Sequence, residues 1–371
     1  SVAYNQRSSI MLIPLSISWD LANNEAVSDF IGEQMSQDEM IEWYGVKKER
    51  GRHRKIDQML KNTMFDKEDG LDTDLFFQYL HEYDNLNTND PLSNETIRSK
   101  ERIGLRIGSH NLDSRFSCTK IELNKFGEDT SINARWPLSS LSRVDRLTEL
   151  SFTTGLSRIN DSNHEIPIDQ SEDEDNNFGL GSYNYGEGIY FEINTDWLND
   201  FSVMRKQSLG ELSEMPYSFE PGRAPKNIVK QIPLLDKPVN RNGFSILHSL
   251  SHLLMKQLCQ MSGYSLGSIR ERLYYEANQG IVESAGILIY TSGPSSDGTL
   301  GGLAGQANQK RINSLVSNAL RSKDMCSNDP VCSEHRSLLS EPNGSACHTC
   351  LILPETSCEL RNHLLDRNWG D

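Results

Sequence analysis

The sequence predicts a mixed α/β protein: an α/β layer, preceded by a helix-rich N-terminal region and closed by a small C-terminal zinc-binding knob. Three observations carry this. In the last third the apolar period switches between helical spacing and strand character, as layered helices and strands require. From Phe244 to Met261, the residues Ile246, Leu247, Leu250, Leu253, Leu254 and Leu258 share one helical face. Five of the seven cysteines (Cys326, Cys332, Cys347, Cys350 and Cys358) fall within the last 46 residues. A chain of 371 residues is long enough for two domains, or for one large domain with an insertion. We divide it into a helix-rich region 1–140, a mixed region 141–240 with an acidic loop at 161–177, and an α/β region 241–371 that ends in the cysteines.

The elements follow in order. Ile10 to Trp19 reads as a strand, with Pro14 arguing for an edge position. Helical spacing appears at Val27, Phe30, Ile31 and Met35, at Met40, Ile41 and Tyr44, and at Leu71, Leu75, Phe76, Tyr79 and Leu80. Residues 85–94 are polar with a proline and read as a loop, and 118–126 alternate as a strand would. Val144 to Leu150 reads as helix or strand edge. Gly186 to Ile193 is a strand, with Trp197 and Leu198 in a turn or short helix after it. The last third predicts a helix over 244–261, a short helix over Ser268–Glu276, a buried strand over Gly286–Tyr290, a glycine-rich loop, and a helix over Ala307–Arg321.

Charge excludes less than it first suggests. The net charge of −15 argues against DNA, RNA and anionic membranes as partners. Its distribution is uneven: residues 1–150 carry −6, 151–200 carry −10, 201–330 carry +4 and 331–371 carry −3. The densest acidic stretch, with Glu172, Asp173, Glu174 and Asp175, reads as a solvated loop. A basic run, Lys47, Lys48, Arg50, Arg52, Arg54 and Lys55, is either a solvated helix start or a phosphate-contacting patch. No stretch approaches the ~20 apolar residues of a membrane-spanning helix, and the polar start shows no secretion signal, so the expectation is a cytoplasmic protein with no membrane partner. The chain begins at Ser1 rather than Met, as a processed or excised piece would.

The cysteines are the strongest chemical signal. Cys347-His348-Thr349-Cys350 is a two-residue knuckle, and Cys326 and Cys332 supply a second pair across Asp329-Pro330. Without a secretion signal, such clustering favours metal over disulfides. Four thiolates suit a closed tetrahedral zinc site. Cys358 is an alternate ligand, and His348 or His335 could replace a sulfur. Five glycines across 293–305, around Asp297 and Thr299, form either a tight structural turn or a backbone cradle for phosphate before a helix N-terminus. His248 and His252 lie four residues apart on one helical face, without the glutamate of a zinc-protease motif. They are core histidines or, with Asp297, part of a phosphodiesterase-like centre. Arg270, Glu271 and Arg272 form a buried ion-pair network or a phosphate contact.

Several motifs occur together and in order: Arg146-Leu147-Thr148-Glu149, Gly155-Leu156-Ser157-Arg158-Ile159, Gly186-Glu187-Gly188-Ile189, His248-Ser249-Leu250-Ser251-His252, Ser268-Ile269-Arg270-Glu271-Arg272, Gly298-Thr299-Leu300-Gly301-Gly302-Leu303, and Cys347 through Glu359 followed by Asn362 and Leu365-Asp366-Arg367. Over roughly 141–371 this resembles the MrfA-like zinc-binding domain family. That module occurs at the C-termini of some superfamily 2 helicases and in DrmB-type subunits of the DISARM anti-phage system. Residues 1–140 match the family less clearly and contain no helicase motifs. The resemblance implies zinc at Cys326, Cys332, Cys347 and Cys350, with Cys358 as the alternate. It also implies a non-catalytic accessory subunit in prokaryotic phage defence, partnered by a superfamily 2 DNA helicase subunit that hydrolyses the ATP. Contacts to DNA are then expected from Lys47, Lys48, Arg50, Arg52, Arg54, Lys55, Arg270, Arg272 and Thr299. The rival expectations are a DNA-processing phosphodiesterase and a protein–protein scaffold that touches no DNA.

Overall fold

The computed structural model describes residues 3–13, 94–107, 109–113, 116–121, 123, 136–158, 161–167, 181–209, 238–293, 302–334 and 343–369. The expected helices between 27 and 83, the basic run 47–55, the acidic quartet 172–175, Asp297, Thr299 and His335 lie outside the described residues.

The strands are β1 (Ala3–Met11), β2 (Ser109–Asp113), β3 (Phe116–Ile121), β4 (Leu138–Arg158), β5 (Asp161–Pro167), β6 (Gly181–Ile193), β7 (Ile269–Asn278) and β8 (Ile281–Thr291). The helices are α1 (Asn94–Ile107), α2 (Thr195–Leu209), α3 (Pro238–Ser262), α4 (Gln309–Ser322) and the short α5 (Val331–Glu334). All eight strands join one sheet, ordered β2-β3-β4-β6-β8-β7. Every pairing among them is antiparallel. The long β4 organises the sheet. On one side it pairs first with β3 and then with β1, and on the other first with β6 and then with β5.

Strand alternation buries both faces. Ile189 and Phe191 of β6, Leu273 and Tyr275 of β7, and Ile287 and Ile289 of β8 face one core with Leu247, Leu250 and Leu254 of α3 and Leu315 of α4. Tyr190, Tyr274, Leu288 and Tyr290 point the other way and join Leu105 of α1, Phe116 of β3 and Met11 of β1. The cysteine segment does not stand apart as a separate knob. Cys332, Cys350, Leu351, Leu360, Leu365 and Trp369 belong to the α3 core. Trp369 meets Trp197 of α2 edge-on at 5.6 Å.

Mixed helix and strand content agrees with the expected class, and α3, α4, β6 and β8 fall where the periodicity places them. Val144–Leu150 lies inside β4, and Trp197 and Leu198 open α2. The acidic stretch begins in the sheet, because Asp161–Pro167 pairs with β4 where a loop was expected. The short helix expected over Ser268–Glu276 is instead strand β7. Ile269 and Leu273, four residues apart, share a face in either structure, so their spacing is ambiguous. The decisive signal is the turn: Gln279 and Gly280 have φ of 48° and 87°, the paired positive values that close a two-residue hairpin between β7 and β8.

The glycines of the 186–188 motif also have a structural reason. A Cβ on Gly186 would lie 1.7 Å from the Thr291 carbonyl oxygen, and one on Gly188 would lie 2.5 Å from that of Ile289. Neighbouring β8 backbone fills both positions. Glu187, between them, is buried and accepts the Leu303 N–H at 2.9 Å and the Tyr264 hydroxyl at 3.2 Å. The motif therefore pins the downstream end of the glycine-rich loop to the sheet.

Candidate metal centre

Two short segments build the four-cysteine cluster. After α4, the Cys326 N–H donates to Asp329 Oδ2 at 2.9 Å, the Asp329 N–H returns to the Cys326 carbonyl at 3.0 Å, and the Cys332 N–H reaches the Asn328 carbonyl at 3.0 Å. These turns fold the five intervening residues so that Cys326 and Cys332 face the same point. In the second segment the N–H groups of Leu351 and Ile352 both donate to the Cys347 carbonyl at 3.0 Å, which tightens the knuckle.

The sulfurs converge. Cys326 and Cys347 Sγ are 3.5 Å apart, Cys347 and Cys350 are 3.6 Å apart, and Cys332 and Cys350 are 3.7 Å apart, with all four sulfurs within 4.8 Å of one another. Four thiolates around a zinc ion at about 2.3 Å sit about 3.8 Å apart. The residues present therefore fit a tetrahedral ion.

The surroundings favour thiolate. The Asn328 N–H donates to Cys326 Sγ at 3.4 Å and the Cys347 N–H to Cys350 Sγ at 3.2 Å. Burial pushes the Cys347 thiol up, but donors from the Cys350 and Thr349 backbone and from Cys326 outweigh it and bring the group down to about 6. Burial and the neighbouring sulfurs push Cys350 the other way, as expected when one thiolate resists a second beside it without a cation. Lys256 of α3 covers the knuckle, donating to the Cys350 carbonyl at 2.6 Å and the Thr349 carbonyl at 3.1 Å. Arg367 bonds Asp329 and donates to the Lys323 carbonyl at 2.9 Å, beside Cys332.

Cys358 lies outside this set, and His348 is exposed and is no member of it. Cys358 sits instead with His248, His252 and Glu271, all buried. His248 Nε2 and His252 Nε2 lie 3.0 and 3.2 Å from Glu271 Oε1. Burial would raise Glu271, but the two imidazoles hold it well below the usual carboxylate range, while burial lowers His248. Buried this way, the histidine pair cannot meet a phosphodiester directly.

The arginines expected on DNA divide. Arg272 is buried and forked onto Glu101, with Nε to Oε2 at 2.7 Å and Nη2 to Oε1 at 2.9 Å, and it also reaches the Ser9 carbonyl at 3.0 Å. The ion-pair alternative holds for this residue, whose guanidinium is committed to Glu101 and Ser9. Arg270 is 37% exposed and pairs with Glu149 at 3.2 Å. It lines a cavity of about 170 Å³ with Arg98, Glu149, Tyr290 and Glu359. Ahead of α4, Asn308 caps the helix by accepting the Arg311 N–H at 3.1 Å, so the chain itself fills part of the expected anion site.

Sequence reasoning missed Glu101, Glu192 and Lys256, and met Glu149 and Glu359 only as motif members with no role. Each acts across the fold, through partners 90 or more residues away, which no local spacing reveals.

Comparison with known proteins bears out the resemblance read from the motifs. Residues 250–351 match the family model of the MrfA Zn-binding domain. That interval holds all four clustered cysteines and His252. The chain is also 36% identical over 194 residues to the DISARM protein DrmB of Bacillus paralicheniformis. The match takes in 50% of this chain and 31% of that relative, so the aligned part spans about a third of the length of the curated protein it resembles.

Proposed function

We propose that this chain is a zinc-stabilised, non-catalytic accessory subunit of a DISARM-type anti-phage system. It works in the cytoplasm beside a superfamily 2 DNA helicase or translocase and helps that partner hold DNA. One observation carries the reading: the four converging cysteines lie inside the interval matched to the MrfA Zn-binding domain, on a chain similar to a DISARM protein.

Zinc bound at Cys326, Cys332, Cys347 and Cys350 supplies a closed structural crosslink and no reactive position. Lys256 and Arg367 hold the two ligand segments against α3 and α4. The C-terminal surface that results is rigid enough to dock on a helicase. ATP hydrolysis belongs to that partner. Contacts to DNA phosphates come from Lys47, Lys48, Arg50, Arg52, Arg54, Lys55, Thr299, Arg270 and Arg272, the last of which holds Glu101 beside the cavity that Arg270 also lines. Residues 201–330 carry +4 in a chain of −15, which favours a groove completed by a more basic partner over tight binding by this chain alone.

Co-expression with a superfamily 2 helicase subunit of a DISARM-type system tests this reading. A stable complex is expected, whose DNA affinity falls steeply between low and moderate salt, by a slope close to the number of phosphate contacts. Charge reversal across 47–55 should flatten that slope. Failure to co-purify removes the helicase role, and an affinity indifferent to salt removes the DNA role and leaves the scaffold reading.

A further inference from the structure

We infer that the chain holds a second, fully buried metal site, built from His248, His252, Glu271 and Cys358 and suited to a divalent ion of the zinc class. The histidines lie on one face of α3, Glu271 opposite on β7, and Cys358 in the C-terminal segment. Their four donor atoms lie within 4.8 Å of one another. His248 Nε2 is 3.0 Å from Glu271 Oε1 and 3.2 Å from Cys358 Sγ, and His252 Nε2 is 3.2 Å from the same carboxylate oxygen. Nitrogen, oxygen and sulfur ligands of a tetrahedral zinc ion sit about 3.3 to 3.6 Å apart, so these spacings are within a few tenths of an ångström of a coordination shell.

Hydrogen-bond roles separate this cluster from an ordinary polar network. The Leu351 carbonyl can only accept, so His252 Nδ1, 2.8 Å away, donates to it. A neutral His252 then aims the bare lone pair of Nε2 at a carboxylate oxygen. That oxygen already accepts the Glu359 N–H at 3.2 Å, and its twin accepts the Ser251 hydroxyl at 2.5 Å. Lone pair against carboxylate is repulsive unless a proton or a metal ion stands between them. Cys358 Sγ accepts the Asn362 N–H at 3.1 Å, the same donation that Cys326 and Cys350 receive at 3.4 and 3.2 Å. With Cys358 as a thiolate, as a metal ligand would be, the site would hold two negative charges closed to water. One imidazolium offsets only one of them, whereas a divalent ion offsets both.

The outer shell matches too. A ligating histidine characteristically gives its other ring N–H to a backbone carbonyl, and a ligating carboxylate is itself hydrogen-bonded. Leu351 takes that part for His252 and Ser251 for Glu271, while His248 Nδ1 is buried without a hydrogen-bond partner among the described residues. All four ligands are protein groups in the interior, so the ion would be a structural staple joining α3, β7 and the C-terminal segment. Leu351 follows Cys350 directly, which ties the two metal positions together.

Protein saturated with zinc and freed of loose ion by gel filtration should hold two equivalents. A zinc-edge anomalous difference map of its crystals should show two peaks, one among the four cysteines and one between α3 and β7. A single equivalent with no peak at the second position overturns the proposal. Cys358→Ser and His252→Gln should each lower the content from two to one and keep the four-cysteine peak. Where those variants fail to fold, the wild-type count and map decide. Zinc at this position but absent from the four cysteines would remove the four-thiolate assignment and leave this one standing.

Discussion

The two faces of the sheet both bury strand residues but hold their polar groups in different ways. Toward α3 the polar atoms gather in two compact four-ligand clusters set in an aliphatic core. Toward α1 they spread along the sheet as ion pairs, Glu101 with Arg272, Glu192 with Arg102, and Glu149 with Arg270. Three tyrosines, Tyr190, Tyr274 and Tyr290, close those pairs. Strand β7 shows the contrast over two residues, since Glu271 faces the histidines and Arg272 faces Glu101. The α3 face should therefore depend on metal and the α1 face on intact charge pairs.

Removing metal should have the largest effect. Stripping zinc with a strong chelator, or substituting Cys347→Ser, takes away the crosslink that joins the 326–332 and 347–350 segments. Structural zinc binding in zinc-finger peptides is worth about 10–16 kcal/mol of apparent free energy at pH 7. The expected result is a large drop in Tm and early exposure of Trp369 and Trp197, read by tryptophan fluorescence. A chelator-treated protein that melts at the untreated temperature would show that the cysteines are ordinary buried thiols and would erase the contrast.

Breaking the central pair on the other face should come next. Glu101→Ala leaves Arg272 buried with its charge unmatched, and removing one partner of a buried pair costs about 3–5 kcal/mol. The double replacement Glu101→Met with Arg272→Met should recover most of that loss, because both desolvation penalties disappear together. Denaturant unfolding of the two singles and the double measures the coupling. A double variant as unstable as the sum of the singles would mean that the guanidinium is held mainly by Ser9 and not by the carboxylate. Zinc content should stay unchanged in all three.

How much of this was legible in the sequence follows the same division. Cys347 and Cys350, and Cys326 and Cys332, announce themselves through local spacing, because each pair is brought together by turns within a few residues. The same holds for α3 and α4, whose apolar positions repeat within one element. Glu101 and Arg272 are 171 residues apart, and Glu271 and Cys358 reach their histidines from other elements. No window on the chain contains those pairs. Strand β7 was hidden because i and i+4 share a face in helix and strand alike, and the evidence against helix lay past its end, in Gln279-Gly280.

The smallest effect is a pH dependence carried mostly by the α1 face. Burial pushes Tyr190, Tyr274 and Tyr290 well above the ordinary phenol value of 10.0, helped by Glu192, Glu101 and Glu149 respectively. On the α3 face, burial raises Tyr275 as well. A group raised in the folded state gives stability that is fully present below its unfolded value. That stability is then lost as pH rises from there toward the folded value, because the unfolded chain releases its proton first. The tyrosine part of the stability should thus be flat up to about pH 10 and then fall, each such tyrosine contributing about 1.4 kcal/mol per pH unit. It adds to a decline that starts near pH 9 from Cys118, whose thiol burial pushes up to about 12. Tyr274→Phe removes one of the α1-face tyrosines and Tyr275→Phe the one on the α3 face. Each should make the alkaline slope shallower by that amount, measured from urea midpoints at stepped pH. Tyr274→Phe should also loosen the Glu101 pair at neutral pH, because the hydroxyl donates to that carboxylate at 3.2 Å. Tyr275→Phe touches none of these charge pairs, so its neutral-pH stability should stay closer to the parent. If the difference in tyrosinate absorbance between the parent and Tyr274→Phe rises near pH 10 while both are still folded, that phenol is open to solvent and the α1 face is not the sealed ionic layer described here.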